Sequence, residues 1–144
     1  MFDKFFPDRY VASTYVIDFE GLYKEGVRGL IFDIDNTLVP HGAPADERAR
    51  ALFKRLKSIG FRCCLISNNQ KPRVEMFNKD IQVDYVYNAH KPSIRNYLKA
   101  MEINILVKPI HPKEEIQIVL KRYLEKIVLH FYKKSLQCEK KVEK

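Results

Sequence analysis

Two aspartates follow a short apolar run near residue 30, and their spacing could support phosphoryl-transfer chemistry. Leu30–Phe32 leads directly into Asp33, and Asp35 and Thr37 follow at alternate positions. The apolar run is too short and too uniform for an amphipathic helix, and it predicts a strand buried on both faces, as in parallel sheets. Two carboxylates at the end of such a strand need a cationic partner, which Mg²⁺ and a phosphorylated substrate would supply. An ordinary acidic turn is the alternative.

Two further polar motifs follow the next predicted strands. Ser67 and Asn68 come directly after the apolar run that ends at Ile66, and Lys91 follows the third predicted strand. Ligands of open α/β sheets bind beyond the carboxyl ends of the strands, so we expect these side chains near Asp33. Taken alone, the serine fits a turn and the lysine fits a surface position. Their order after successive strands favours a common site.

These residues together predict the parts of a phosphatase. A phosphate ester resists attack because its oxygens are negative, so catalysis needs a nucleophile, a proton donor and positive charge around the phosphoryl group. We assign Asp33 as the nucleophile that forms an aspartyl-phosphate. We assign Asp35 as the general acid for the leaving oxygen and then the general base for water. Lys91 would neutralise the nucleophile and the phosphate. The candidate phosphate-binding residues are Thr37, Ser67 and Asn68.

Mg²⁺ is the cofactor that this set of residues predicts. The ion is hard, and proteins commonly bind it through one or two carboxylates together with waters and substrate phosphates. Asp33 and Asp35 are the candidate ligands.

The same residues resemble the haloacid dehalogenase superfamily of phosphotransferases. Its first motif is matched in register by Asp33, Asp35 and Thr37. Ser67 and the two asparagines after it resemble the second motif, and Lys91 with the following Pro-Ser resembles the third. The order and spacing are similar to those of the capless subfamily IIIA, and in detail to the YqeG-like phosphatases. The resemblance covers nearly the whole chain.

The resemblance carries expectations about substrate and location. It implies that the Asp35 backbone carbonyl also reaches the metal. The lack of a cap implies an open cleft, which suits a phosphoprotein, a nucleic-acid end or a lipid headgroup, and the YqeG-like group favours phosphatidylglycerophosphate. The aromatic and basic N-terminal extension, residues 1–26, could then rest on an anionic membrane. The aromatic composition of residues 1–26 is explained equally well if these side chains pack beneath the sheet. We expect a cytoplasmic protein, peripheral to the inner membrane face if the substrate is a lipid.

The fourth motif of the family, a strand followed by Gly-Asp and a further metal-binding Asp, has no counterpart here. Ser93–Ile103 runs almost directly into the apolar segment Ile105–Val107, and no aspartate follows Asp84. One strand–helix unit is therefore expected to be missing, and the metal loses an acidic ligand. Two interpretations stay open. One is a phosphohydrolase with weak metal binding or a substitute ligand, Glu114 or Glu115. The other is a degenerate, non-catalytic relative that binds phosphorylated ligands or a protein partner.

The alternation of strands and helices predicts one doubly wound, Rossmann-like α/β domain with a mostly parallel sheet over residues 1–144. An apolar stripe from Ile116 to Phe131 predicts a final helix that covers the sheet, and residues 133–144 are expected to fray. We expect Ile105–Val107 to pair with the first strand. The predicted strands are Gly29–Ile34, Phe61–Ile66, Val83–Tyr87 and Ile105–Val107, and the earlier helices are Ala45–Ile59, Pro72–Phe77 and Ser93–Ile103.

Composition and charge narrow the classes of partner. The chain has 144 residues, of which 46% are hydrophobic and 31% charged, enough for one globular domain with a core. No apolar run approaches the ~18 residues of a spanning helix. The net charge of +8 favours anionic partners. No nucleic-acid-binding module is recognisable, so specific nucleic-acid binding ranks last, and the oligomeric state stays open.

The three cysteines do not form a disulfide or zinc pattern. Cys63 and Cys64 are adjacent in a predicted strand, so their side chains should point to opposite faces of the sheet. We expect both to be small buried hydrophobic residues.

Overall fold

The computed structural model describes residues 8–89, 94–107, 115–123 and 126–134, which form four α-helices, one short 3-10 helix (Thr14–Val16) and six strands. The helices are α1 (Phe19–Lys24), α2 (Glu47–Ile59), α3 (Lys71–Asn78) and α4 (Ile94–Val107). The strands are β1 (Arg9–Val11), β2 (Val27–Phe32), β3 (Arg62–Ile66), β4 (Asp84–Val86), β5 (Glu115–Tyr123) and β6 (Lys126–Lys134).

The six strands form one sheet in the order β1-β6-β5-β2-β3-β4. The four strands from β5 to β4 are parallel, whereas β6 and β1 are antiparallel to their neighbours. From β2 the chain winds outward through β3 to β4, and then α4 leads back to β5 on the other side of β2. The direction of winding therefore reverses at β2, and the crevice beside such a reversal is where open α/β sheets bind ligands. The α/β fold predicted from the sequence is confirmed.

The central strand β2 is buried on both of its faces. Leu30 and Phe32 join the larger core, to which α1, α2 and α3 contribute, whereas Ile31 joins a smaller core with residues of α4. All three side chains have 0% exposure. Burial of each side chain of this size contributes about 1.5–3 kcal/mol, so this strand anchors both layers of helices.

The adjacent cysteines of β3 behave as predicted. Cys63 packs in the larger core and Cys64 in the smaller one, because successive residues of a strand face opposite sides. Burial raises the pKa of the Cys63 thiol to about 12 and also raises that of Cys64. Both thiols are therefore protonated and unreactive at neutral pH.

Helix α2 ends at the predicted residue and begins two residues later than predicted. The Asp46 side chain accepts a hydrogen bond from the Ala49 backbone N–H over 2.8 Å and caps the start of the helix. Gly60 ends the helix in the left-handed conformation, with φ of 116°. The buried face of the helix consists of Ala49, Leu52, Phe53 and Leu56.

The predicted strand Ile105–Val107 is wrong, because these residues form the last turns of α4. Tyr97, Ala100, Met101 and Asn104 are buried at 3–4 spacing, and all but Asn104 join the smaller core. The Asn104 side-chain amide also donates a hydrogen bond to the Leu30 carbonyl over 3.3 Å. Ending the helix at Ile103 would break this stripe.

The predicted final helix is also wrong. Residues within Ile116–Phe131 form the hairpin of β5 and β6, and β5 fills the position beside β2 that was expected for Ile105–Val107. Short apolar runs are ambiguous between helix and strand, and this segment is rich in β-branched residues that favour strands. The decisive factor is tertiary, because the backbone edge of β2 needs a hydrogen-bonding partner that a helix cannot provide.

Much of the predicted N-terminal extension is integral to the domain. β1 pairs with β6, and Phe19 and Leu22 of α1 are buried in the larger core. Tyr10 stays 55% exposed, and residues 1–7, which contain the other aromatics proposed to rest on a membrane, lie outside the described residues. At the other end β6 extends to Lys134, and residues 135–144 also lie outside them. In the described ranges no helix is both long and apolar enough to cross a bilayer.

Replacing Gly60 tests the packing at the end of α2. A Cβ at this position would lie 3.0 Å from the Tyr23 hydroxyl, whereas a Cβ at Gly42 would have no neighbour within 4 Å. Both glycines have positive φ, so Gly42→Ala isolates the backbone strain. We expect Gly42→Ala to lower the free energy of unfolding by about 1 kcal/mol. Gly60→Ala should lower it by at least about 2 kcal/mol, measured by urea denaturation. Equal losses would show that the Tyr23 contact is unimportant.

Candidate active site

The predicted nucleophile and the predicted phosphate-binding serine leave the sheet at the same edge. Phe32 of β2 pairs with Leu65 of β3 in parallel register, so Asp33 and Ser67 follow the carboxyl ends of adjacent strands. The half-buried Asp33 is held on its other side by β5, because its backbone N–H donates to the Leu120 carbonyl over 3.0 Å. Pairing with β3 and β5 therefore fixes the position of the Asp33 backbone, at the start of the loop that follows β2.

Asp35 accepts hydrogen bonds from three different parts of the chain. Its Oδ1 accepts from the Gly42 backbone N–H over 2.8 Å and from Nη2 of Arg73 over 2.8 Å. Its Oδ2 accepts from the Asn69 side-chain amide over 2.5 Å. The ion pair with Arg73 is largely buried, with side-chain exposures of 14% for the arginine and 13% for the aspartate. These three contacts hold the Asp35 carboxylate in one orientation.

These contacts determine the charge of Asp35. Burial is the largest single influence and opposes ionisation, but the Gly42 N–H, the Arg73 guanidinium and the Asn69 amide together outweigh it, so the pKa of Asp35 is lowered. A carboxyl group with a lowered pKa is ionised at neutral pH and can accept a proton. Donation of a proton, the first role predicted for Asp35, requires these contacts to change.

Asn69 connects Asp35 to Ser67. Its side-chain amide donates to the Ser67 hydroxyl oxygen over 3.0 Å as well as to Asp35, and its backbone N–H donates to the same hydroxyl over 3.1 Å. Ser67 is 1% exposed, and its backbone N–H donates to the Val86 carbonyl of β4 over 2.9 Å. The first and second motifs therefore form one hydrogen-bonded unit.

Thr37 lies in the turn after Asp35 and is clamped by the N-terminal segment. Thr14 donates its hydroxyl to the Thr37 carbonyl over 2.8 Å, and Tyr15 donates its hydroxyl to the Leu38 carbonyl over 2.7 Å. The Thr37 side chain is buried, and its Oγ1 has no hydrogen-bond partner in the described part of the chain. A role for this hydroxyl in phosphate binding would require the turn to open.

The remaining predicted residues are less defined. Asn68 is exposed after Ser67, where its side chain can reach solvent or a ligand. Lys91 lies outside the described residues, so its predicted role in charge neutralisation stays a prediction.

The structure adds Asn69 and Arg73 to the site. Asn69 stands inside the Ser-Asn-Asn motif, and its position three residues after the end of β3 could have suggested it. Arg73 lies in the first turn of α3, and a basic residue shortly after a polar motif is a weak signal by itself. Only Nη2 of the guanidinium is bonded to Asp35, whereas Nε and Nη1 are buried with no hydrogen-bond partner among the described residues. The arginine is therefore an under-satisfied buried cation beside the site.

The described residues include no cluster of potential metal ligands. No group of three or more His, Cys, Asp or Glu side chains in the described ranges could hold a metal ion. Glu115 cannot replace the missing carboxylate, because Ile116 pairs with Val27 at the start of β2. Asp33 leaves the other end of β2, roughly 20 Å away at the usual rise per residue. The predicted role of a substitute metal ligand is therefore wrong for Glu115, whereas Glu114 lies outside the described residues.

Comparison with known proteins identifies one relevant relative. The sequence matches no protein family model. It is 35% identical over 103 residues to a protein of Bacillus subtilis (strain 168) named "Probable phosphatase YqeG". The match covers 70% of this chain and 60% of that protein, so the chain spans less than two thirds of its relative's length. The similarity confirms the YqeG-like resemblance of the motifs.

The pH dependence of stability tests the contacts of Asp35. Because the pKa of Asp35 is lowered in the folded state, its stabilising contribution is complete above the unfolded carboxyl pKa of about 3.9. It is lost as the pH falls through the folded value. We expect Asp35→Asn to flatten the acid limb of the free energy of unfolding, measured by urea denaturation between about pH 6 and pH 3. Asp80→Asn, at an exposed turn position, is the matched control. An unchanged acid limb in Asp35→Asn would contradict the assignment.

Proposed function

We propose that this chain, which is YqeG-like over the 103 residues that it shares with its relative, is a phosphatase that hydrolyses phosphomonoesters through an aspartyl-phosphate on Asp33. The observation that carries the proposal is the position of Asp33 at the carboxyl end of β2, where the winding of the sheet reverses. Ser67 leaves the adjacent strand at the same edge. A carboxylate next to a hydroxyl donor at a ligand crevice is the arrangement that covalent phosphoryl transfer needs.

The residues around Asp33 suggest how the two half-reactions divide. Asp33 attacks phosphorus and forms the acyl phosphate, and the leaving oxygen takes a proton. A water then attacks the phosphorus of the intermediate and loses a proton to a base, which breaks the phosphorus–oxygen bond to Asp33, restores its carboxylate and releases inorganic phosphate. In the ligand-free site Asp35 is held as a carboxylate, the form that serves as the base in the second step. Its role as the acid in the first step requires substrate to displace Arg73 or Asn69 from it.

Mg²⁺ is the metal that we propose for the site. Asp33 is a hard oxygen donor, and the Asp35 backbone carbonyl, together with waters and substrate oxygens, would complete the coordination. The ion would supply positive charge to the phosphoryl oxygens. Because the described residues contribute few acidic ligands, the donor set fits Mg²⁺ with bound substrate better than Mg²⁺ alone.

A large substrate fits the architecture. The chain between Asp33 and β3 contains a loop and α2, without an inserted cap domain over the crevice. We propose phosphatidylglycerophosphate as the lipid to test first, with the protein acting in the cytoplasm at the inner membrane face. The net charge of +8 is suited to an anionic headgroup.

A second candidate is a non-catalytic protein that binds phosphorylated ligands. The engagement of both Asp35 carboxylate oxygens in hydrogen bonds favours it. The two candidates separate in one assay, because the first releases phosphate from an aryl phosphate in the presence of Mg²⁺. The second binds inorganic phosphate and releases none.

Asp33→Asn tests the nucleophile. The amide is isosteric with the carboxylate but cannot form the acyl phosphate, so we expect phosphate release to fall on the order of a thousandfold or more. Release of inorganic phosphate from an aryl phosphate measures the effect, and Asp80→Asn should retain the activity of the unmodified chain. Thermal unfolding of each variant checks that the fold is intact. Turnover by a folded Asp33→Asn variant at the original rate would exclude Asp33 as the nucleophile.

The metal requirement forms a separate prediction. With few acidic ligands, half-maximal activity should need Mg²⁺ on the order of millimolar, and EDTA should abolish it. Activity at a fixed substrate concentration is measured against Mg²⁺ concentration. Saturation in the micromolar range would show that a residue outside the described ranges completes the site.

A further inference from the structure

Arg73 is charged, largely buried and poorly satisfied. The guanidinium group has five N–H donors in a rigid plane. Only the Nη2 contact with Asp35 is made, and Nε and Nη1 are buried without a hydrogen-bond partner among the described residues. Unmade hydrogen bonds of a buried cation are costly. A fold that keeps an arginine in this state gains from a ligand that can use its remaining donors.

The place of Arg73 identifies the chemistry of such a ligand. The residue lies in the first turn of α3, just beyond the second motif, and its ion pair with Asp35 brings the guanidinium to the crevice that contains Asp33 and Ser67. A phosphoryl group presents several negative oxygens, and the arginine fork can bind two of them at once. Asp35 offers the fork one oxygen at hydrogen-bonding distance.

We propose that Arg73 is a phosphate-binding residue that exchanges partners, holding Asp35 in the ligand-free site and turning to the phosphoryl oxygens when substrate binds. The inference rests on the proposed phosphatase function and names a residue that its motifs do not assign. The exchange releases one of the three contacts that orient Asp35, whereas the Gly42 and Asn69 contacts can remain. Binding of phosphate and release of the second aspartate are thereby coupled through one side chain.

The first test is the affinity for inorganic phosphate, measured by isothermal titration calorimetry on the full chain without Mg²⁺. Arg73→Gln should weaken binding on the order of tenfold or more, since it removes charge-assisted hydrogen bonds. Arg73→Lys keeps the charge but loses the fork, so it should bind more weakly than the unmodified chain and more tightly than Arg73→Gln. The control is Arg55→Gln. Arg55 is also paired with a carboxylate, that of Glu20, but the pair is exposed and lies late in α2, away from the carboxyl ends of the strands.

The second test is a double-mutant cycle between Asp35 and Arg73. Asp35→Asn removes the competing partner and should tighten phosphate binding. If the gain in phosphate affinity acts through Arg73, it should largely disappear when Arg73→Gln is also present. If Asp35→Asn only removes repulsion between the carboxylate and phosphate, the gain would be the same with and without Arg73→Gln. Thermal unfolding confirms that each variant is folded, and Arg73→Lys retains the test of the fork if Arg73→Gln does not fold.

The outcomes are distinct from those that judge the proposed function. Unchanged phosphate affinity in folded Arg73→Gln or Arg73→Lys, or an equal gain from Asp35→Asn in both backgrounds, overturns the inference. Absence of phosphate binding to the unmodified chain overturns it as well. None of these results depends on turnover, which the Asp33→Asn assay decides independently.

Discussion

The backbone of β2 is hydrogen-bonded along both of its edges, to β3 on one side and to β5 on the other. Its side chains are buried on both faces, so neither edge can be left to solvent without exposing backbone polar groups of an enclosed strand. This pairing on both edges fixes the point at which the chain leaves the sheet. It therefore also fixes the backbone position of Asp33, the next residue. The loop that carries Asp35 and Thr37 can then be held by contacts from distant segments.

The sequence was informative wherever local patterns decided the structure. The end of α2 before Gly60 was predicted, and the uniform apolar runs predicted β2 and β3 to within two residues. The predicted secondary structure was wrong where contacts between residues far apart in the chain determine it. The Ile105–Val107 and Ile116–Phe131 segments have apolar residues compatible with either helix or strand. Their conformations follow from the buried stripe of α4 and from the open edge of β2, neither of which a local window contains.

The same division applies to the candidate site. Residues that directly follow strands, such as Asp33 and Ser67, could be placed from the sequence because the carboxyl ends of parallel strands meet at one edge. Arg73 could not, because its importance lies in a contact with Asp35, 38 positions earlier, and in donors left without partners. The charge of Asp35 likewise depends on three neighbours that assemble only in the folded chain. Motif spacing indicates which groups are available, and the folded structure determines their protonation.

The pairing of β1 with β6 has a consequence for synthesis of the protein. Arg9–Val11 is translated well before its partner, Ile127–Leu129, so the pair cannot form until more than 100 further residues have been made. β5, which pairs with the second edge of β2, is likewise translated long after it. The nascent chain therefore carries β2 with one open edge until β5, more than 80 residues further along, has been translated. Contacts of such long sequence separation slow folding and leave strand edges exposed to aggregation, so shielding by a chaperone during translation would benefit this chain.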